Sequence, residues 1–374
     1  MAVGGENPVV KTRLFSLDAL RGFDMLLLLY GSTIAWSMAD IPWMPRWILT
    51  QFSHPWGVYT LFDVIQPLFA FICGAGIPLA LTRRMQGDRA GWPYWRHALW
   101  RFVELNFLGA VCSGLLRLNP GDAPWFGNTL QLLGFGYLFA AFCYAYVPRR
   151  LWLALCAVLL AAWGVALAIG GDLTPDGNLA AKVERFMAAL FVPGKTLKHG
   201  TYTSWATIPM FCALTLLGAY ALGFLRDASR SEKRRVVLLL AAGAATAAAG
   251  VALHFVQPEI KHIYTPSYTL ISAGICLALL GAFYWIFDVR GVRKGTWLCV
   301  LYGQFSLASY MFWGLFGKSM QHASEGMLGG VEKLLLPESY HSFVTTCGTL
   351  FLSTSLLWLW RTARSRTRGG LARE

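Results

Sequence analysis

Stretches of about 20 apolar residues recur along this chain from end to end, and each is long enough to cross a hydrocarbon core of about 30 Å. Ten are expected, at 16–38, 60–82, 95–117, 129–147, 151–170, 205–225, 236–255, 267–288, 296–316 and 342–360. Lipid offers no partners to backbone N–H and C=O groups, so segments of this length must close their hydrogen bonds internally as helices. The expected fold class is therefore all-α, a polytopic membrane helical bundle of about ten transmembrane helices. Composition agrees: 14% of the residues are charged, against roughly 25% in an ordinary soluble domain.

Residues 1–374 read as a single integral membrane domain, with tails at 1–15 and 361–374. The longest interruption, 171–204, holds Pro175, Pro193 and an amphipathic piece around Leu179 to Phe191, suited to lying in the membrane interface. The N-terminus lacks a short apolar segment followed by a small-residue cleavage site, so 16–38 is expected to be a retained span. No internal duplication of the kind that builds many transporters is visible.

A net charge of +13 invites a nucleic-acid reading, but the distribution of the charges argues for topology instead. With Arg96 and Arg117, at the two ends of the third segment, counted to their nearer sides, 21 of the 32 Lys and Arg fall on the side of both termini, nine on the other side, and two, Arg21 and Arg101, deeper inside spans. By the positive-inside rule both termini are expected to be cytoplasmic. The basic tail from Arg361 then serves topology and contact with anionic lipid in the bilayer, and no nucleic-acid partner is expected. The eight cysteines are scattered singly through the spans, with no CxxC or Cys/His spacing, so neither a disulfide framework nor a metal site is expected.

Three polar groupings stand out against this apolar background. His54 lies at the lip of the second span, with Asp63 nine residues on and Gln66 just beyond. A neutral imidazole exchanges protons near neutral pH, and a carboxylate at the helix mouth would fix its tautomer. The bland reading is an interfacial belt, since Trp43, Trp47 and Trp56 lie close by. The histidines at 199, 262, 322 and 341 lack comparable acidic and amide company. In the first span Asp18, Arg21 and Asp24 are spaced i, i+3, i+6 and share a helix face, which suits either mutual pairing or a cationic Arg21 contacting an anionic ligand. In the third span Arg101 and Glu104 form another i, i+3 pair, with Arg83 and Arg84 on the adjoining loop. This set reads either as an internal salt bridge or as a grip on a phosphate-bearing ligand. No glycine-rich nucleotide loop is present.

Several segments resemble the heparan-alpha-glucosaminide N-acetyltransferase family and its bacterial relatives. They are SLDALRGFDM at 16–25, HPWG at 54–57 followed by DVIQPLFAFICGAGIP at 63–78, and TLQLLGFGY at 129–137. The runs at 191–223 and 264–288 extend the likeness over nearly all of the chain. The resemblance implies an acetyl-CoA-dependent transmembrane acetyltransferase. It would take acetyl-CoA from the cytoplasmic side and acetylate an amine or hydroxyl of a sugar or glycan on the other. The family's catalytic histidine precedes its D-x-I-x-P span, a position that His54 matches here, although His54 stands two residues before Trp56 where the family usually has three.

The implied site has His54 as general base or transient acyl acceptor and Asp63 orienting it, with Gln66 or Gln131 stabilising the oxyanion. Asp18, Arg21, Arg83, Arg84 and Arg101 would hold the cofactor. Direct transfer and a ping-pong route through an acyl-imidazole both remain open. The expected location is a bacterial cytoplasmic membrane; a homodimer is compatible with the sequence, which encodes no oligomeric state. The rival classes are a transporter or flippase of a small polar or lipid-linked solute, because intramembrane charges also mark substrate pathways, and a non-catalytic binding subunit.

Overall fold

The computed structural model describes residues 14–86, 89–117, 128–191 and 204–370; His199 and most of the 191–203 connection lie outside them. Among the described residues the architecture is helical, with no strand. The helices are α1 (Phe15–Leu26), α2 (Ser32–Ser37), α3 (Arg46–Thr50), α4 (Ile65–Ala75), α5 (Ile77–Leu81), α6 (Trp92–Cys112), α7 (Thr129–Tyr146) and α8 (Trp152–Gly170). They continue as α9 (Leu179–Phe191), α10 (Ile208–Leu225), α11 (Glu232–His254), α12 (Pro266–Phe283), α13 (Trp297–Gln304), α14 (Ser306–Leu335) and α15 (His341–Gly370).

Among the described residues, seven helical stretches are long and apolar enough to cross a membrane: Leu61–Arg84, Thr129–Tyr146, Arg149–Gly170, Trp205–Leu225, Glu232–His254, Pro266–Val289 and Glu338–Arg364. An eighth is added if the bent pair α13 and α14 counts as one span. The expected segments at 16–38 and 95–117 are helical too, but they carry Asp18, Arg21 and Asp24 in one and Arg96, Arg101 and Glu104 in the other. The segment expected to span at 296–316 is broken in the structure. Phe305 leaves helical geometry, and α13 and α14 meet there at 82°.

Burial separates central helices from peripheral ones. In the Leu61–Arg84 span 72% of the apolar 18-residue stretch is buried inside the protein, whereas in Arg149–Gly170 17% is, and Val158, Val165 and Ile169 face the outside. An apolar helix that the protein itself leaves uncovered is satisfied by lipid, so the chain has the make-up of an integral membrane protein. The most central helix starts beside His54 and ends at Arg83 and Arg84, which defines a histidine end and an arginine end of the bundle.

Helix α4 packs on α10 and α12, α11 runs along α12, and α6, α7, α8 and α10 form the adjoining flank. Helix α1 lies directly on α13. A Cβ at Gly22 would sit 1.5 Å from the Cys299 carbonyl oxygen, and one at Gly303 would sit 2.0 Å from that of Asp18, so neither position accepts a side chain at this spacing. At the arginine end Asp288 closes the start of α1, accepting the N–H groups of Phe15 (3.2 Å) and Ser16 (3.0 Å) that the helix leaves unpaired. A π turn at Leu27–Gly31 interrupts the first long helix and delivers Tyr30 to Ser353 on α15.

Candidate functional site

The site at the histidine end is built around a turn that Asp63 itself organises. Thr60 and Asp63 form a reciprocal capping box, in which Asp63 Oδ2 accepts the Thr60 N–H at 2.8 Å. The Thr60 hydroxyl donates to the Ser53 carbonyl (2.9 Å), pulling the chain back so that residue 54 returns to the helix mouth. With Oδ2 committed to the cap, Oδ1 faces the imidazole, and His54 Nδ1 lies 2.6 Å from it. Phe62 backs the ring, with centroids 5.2 Å apart. Engagement of Nδ1 by a carboxylate fixes the proton there, so proton exchange falls to Nε2.

A third member comes from 207 residues further on. Lys261 Nζ lies 2.9 Å from His54 Nδ1, 3.0 Å from Nε2 and 3.3 Å from Asp63 Oδ1. Near-equal distances to nitrogens on opposite sides of a five-membered ring put the amine over the imidazole face. It therefore lies off the lone-pair direction of either nitrogen, and an ordinary in-plane hydrogen bond does not describe the contact. Burial pushes Lys261 down to about 8, while the Asp63 carboxylate pulls it back up.

The turn that carries Lys261 is held on both sides. Thr265 Oγ1 accepts the Ile260 N–H (3.0 Å), and the Trp163 indole N–H is shared between the carbonyls of Ile263 and Tyr264. Tyr264 has φ of 49°, left-handed backbone that a bulky residue adopts only when its surroundings enforce it. Tyr268 on α12 donates to the Asp63 carbonyl at 2.8 Å, tying this turn's helix to the start of α4.

His262, for which the sequence showed no comparable acidic and amide company, has Asp63 nearby in the fold. Its ring stacks on Trp56 at 4.9 Å, and the charges of Lys261, His54 and Asp63 act on it. Burial, reinforced by the Lys261 charge, pushes it down to about 4, so it is a neutral imidazole at ordinary pH. A narrow cleft opens beside it, lined by Trp56, Pro175, Asn178, Glu184, Ser204 and His262.

The expected amides stand slightly deeper. Gln66, on the first turn of α4, donates to the Thr129 hydroxyl at 2.8 Å, and Gln131 accepts the Asn128 N–H at 3.1 Å in the capping box that starts α7. Gln66 thus joins α4 to the first turn of α7, the turn on which Gln131 stands.

Arg21, Arg84 and Arg101 converge toward the arginine end. Arg21 and Arg101 both act electrostatically on Cys73, and Arg84 and Arg101 both act on Tyr137 and His97. Asp18 pairs with Arg21 at 3.6 Å and Glu104 with Arg101 at 2.9 Å, so two carboxylates face three guanidinium groups. Arg83 is exposed on the same turn as Arg84. Asp24 departs from its expected place in the Arg21 grouping. It is wholly buried near Cys276 on α12, and both its oxygens are without a hydrogen-bond partner among the described residues.

Lys261 and Tyr268 were beyond sequence reasoning at this site. The available signal was a Lys-His pair in a short connection between two apolar spans, on the side where basic residues are scarce.

Fold and site together define a class: a helical membrane protein with a buried His-Asp-Lys cluster at one end of its bundle and an arginine cluster toward the other. Residues 13–172 match the family model described as Domain of unknown function (DUF5009). The matched stretch takes in Arg21, His54, Asp63, Gln66, Arg101 and Gln131 and ends before Lys261. No curated protein matches the chain.

Proposed function

We propose that this chain is a transmembrane acetyltransferase. It takes the acetyl group of acetyl-CoA, bound from the arginine end, to an amine or hydroxyl of a sugar or glycan at the histidine end. The observation that carries the reading is the 2.6 Å contact between His54 Nδ1 and Asp63 Oδ1, with Lys261 over the ring. A carboxylate-held imidazole is the arrangement that removes a proton from an attacking hydroxyl or amine. The resemblance of the HPWG and DVIQP segments to the acetyltransferase family supports the same residues.

In the direct route, Nε2 of His54 accepts the acceptor's proton as its oxygen or nitrogen attacks the thioester carbonyl. The tetrahedral adduct then collapses, the C–S bond breaks, and CoA leaves as the thiol once the proton is returned. In the ping-pong route Nε2 attacks first, CoA leaves, and the acyl-imidazole is resolved by the acceptor. Asp63 holds the proton on Nδ1 and offsets positive charge on the ring in both. Gln66 and Gln131 would supply amide donors for the oxyanion.

The two ends fit one elongated donor. At about 1.5 Å per residue, Asp63 and Cys73 are separated by about 15 Å along the span. Phosphates held by Arg21 and Arg101 around Cys73 thus leave an extended pantetheine arm to reach His54. With the arginine end cytoplasmic, as the basic residues favour, donor and acceptor approach from opposite sides of a bacterial cytoplasmic membrane. The test is CoA thiol release from acetyl-CoA in proteoliposomes across a panel of sugars; thiol release that no acceptor stimulates would sink the reading.

A further inference from the structure

The acetyl-transfer steps use His54 Nε2 and leave the Lys261 amine beside it without a part. Nζ lies 2.9 Å from His54 Nδ1 and 3.0 Å from Nε2, over the face of the ring. An acyl group carried on Nε2 lies in the ring plane, because its carbonyl conjugates with the imidazole. A nucleophile must approach such a carbonyl from above or below that plane, and the amine stands on one of those two sides. With an acyl C–N bond of about 1.4 Å, the carbonyl carbon falls about 3.5 Å from Nζ, the separation at which two held groups are poised to react.

The surroundings of Nζ decide how often it is a nucleophile. Asp63 Oδ1 at 3.3 Å and the Phe62 ring at 6.0 Å both favour the ammonium form; burial opposes them and brings Lys261 down to about 8. His262, pushed down to about 4, is neutral, and burial pushes the Tyr59 and Tyr264 phenols up, so these three neighbours add no charge. About one amine in ten is therefore neutral at pH 7, and about half at pH 8.

We propose that Lys261 is a self-acetylation site: an acyl group on His54 Nε2 that no external acceptor takes moves to Lys261 Nζ and stays there as an amide. This rests on the acetyl-transfer reading in its ping-pong form. Nζ bonds to the acyl carbon, the bond from that carbon to Nε2 breaks, and its electron pair returns to the ring. Nε2 takes the proton that Nζ sheds. The imidazolium, held against Asp63, then passes that proton to solvent, replacing the one that the departing CoA thiolate took up. The product has lost the charge that faces Asp63 and carries an amide over the imidazole, so the site falls silent. Donor without acceptor thus shuts the protein down.

The test is peptide mapping by mass spectrometry of the full-length protein in detergent, incubated with acetyl-CoA alone and then treated with hydroxylamine. Hydroxylamine removes acetyl from an imidazole but not from an amide. The expected result is stable acetyl on Lys261, at least about tenfold above that on the exposed Lys294 and Lys318, the advantage of a held amine. It should form about fivefold faster at pH 8 than at pH 7. His54→Ala should lose it, and Lys261→Arg should hold only acetyl that hydroxylamine removes. Acetyl on Lys261 that is undiminished in His54→Ala would be direct acetylation by the thioester and would overturn the proposal. Acetyl in the wild type that hydroxylamine strips would leave His54 acylated and Lys261 inert, overturning self-acetylation and upholding acyl transfer. CoA release stimulated by a sugar, with Lys261 unmodified after incubation without one, would overturn the proposal while leaving acetyl transfer standing. Stable acetyl on Lys261 that needs His54, with no sugar stimulating CoA release, would uphold the site and reject a sugar acceptor. Neither acetyl on the protein nor CoA release would reject both.

Discussion

Lys261 Nζ and Asp63 Oδ1 lie 3.3 Å apart with their side chains 7% and 1% exposed, so each is the other's counterion inside the protein. Asp63 therefore carries a structural charge as well as orienting His54, and the two duties separate by mutation. Asp63→Asn strands a buried amine and weakens the cap at Thr60, and is expected to cost about 3–5 kcal/mol, the range for breaking a buried pair from one side. Thermal unfolding in detergent checks this, and a melting temperature within a degree of wild type would contradict it.

His54→Ala leaves the Asp63–Lys261 pair and the Thr60 cap in place. Stability should be nearly unchanged while acetyl transfer falls by about 10²–10⁴-fold, the share that a positioned base supplies. Near-normal turnover in this variant would remove His54 from the chemistry and turn attention to His262, which shares the site.

Lys261 sets a pH dependence of stability. Its folded value near 8 lies below the ordinary 10.5, so between about pH 8 and 10.5 the unfolded chain binds the proton that the folded chain has released. Stability should rise with pH across that window, by about 3 kcal/mol in all. The rise should be missing in Lys261→Met. A wild-type curve that is flat or falling there relative to the variant would mean that the amine is not desolvated.

Arg101→Ala should raise the KM for acetyl-CoA more than it lowers kcat, because a phosphate contact far from the carbonyl is made equally in ground and transition states. Loss of folding would instead assign Arg101 to its pair with Glu104, 2.9 Å away.

A reporter active only after export, fused behind Arg361, should stay silent, as expected if both termini are cytoplasmic. An active fusion would invert the bundle and the side on which the acceptor binds.

Much of the helical pattern was legible because spans advertise themselves by length and apolarity; Leu61–Arg84 and Pro266–Val289 fall within a few residues of their expected limits. The bend at Phe305 was not legible, since 296–316 has the length and overall apolarity of one span, yet α13 and α14 meet there at 82°. At the site, His54 and Asp63 were within reach because the Thr60 turn joins them locally over nine residues. Lys261 is 207 residues from His54, and its approach depends on the left-handed Tyr264 and the clasp of Trp163, tertiary features without a local signature. Asp24 misled for the related reason that helical spacing fixes a face but not what that face meets.

The contact of Gly22 with the Cys299 carbonyl makes the absence of one methyl group a ruler for the arginine end. Arg21 is the neighbouring residue on the same helix, and the level at which its guanidinium enters the bundle is set by how closely α1 seats on α13. Gly22→Ala would force the helices apart and shift Arg21 relative to Arg101 without touching either charge. The glycine of the LRG sequence thus governs an electrostatic property, the separation of two cations, through a purely steric one.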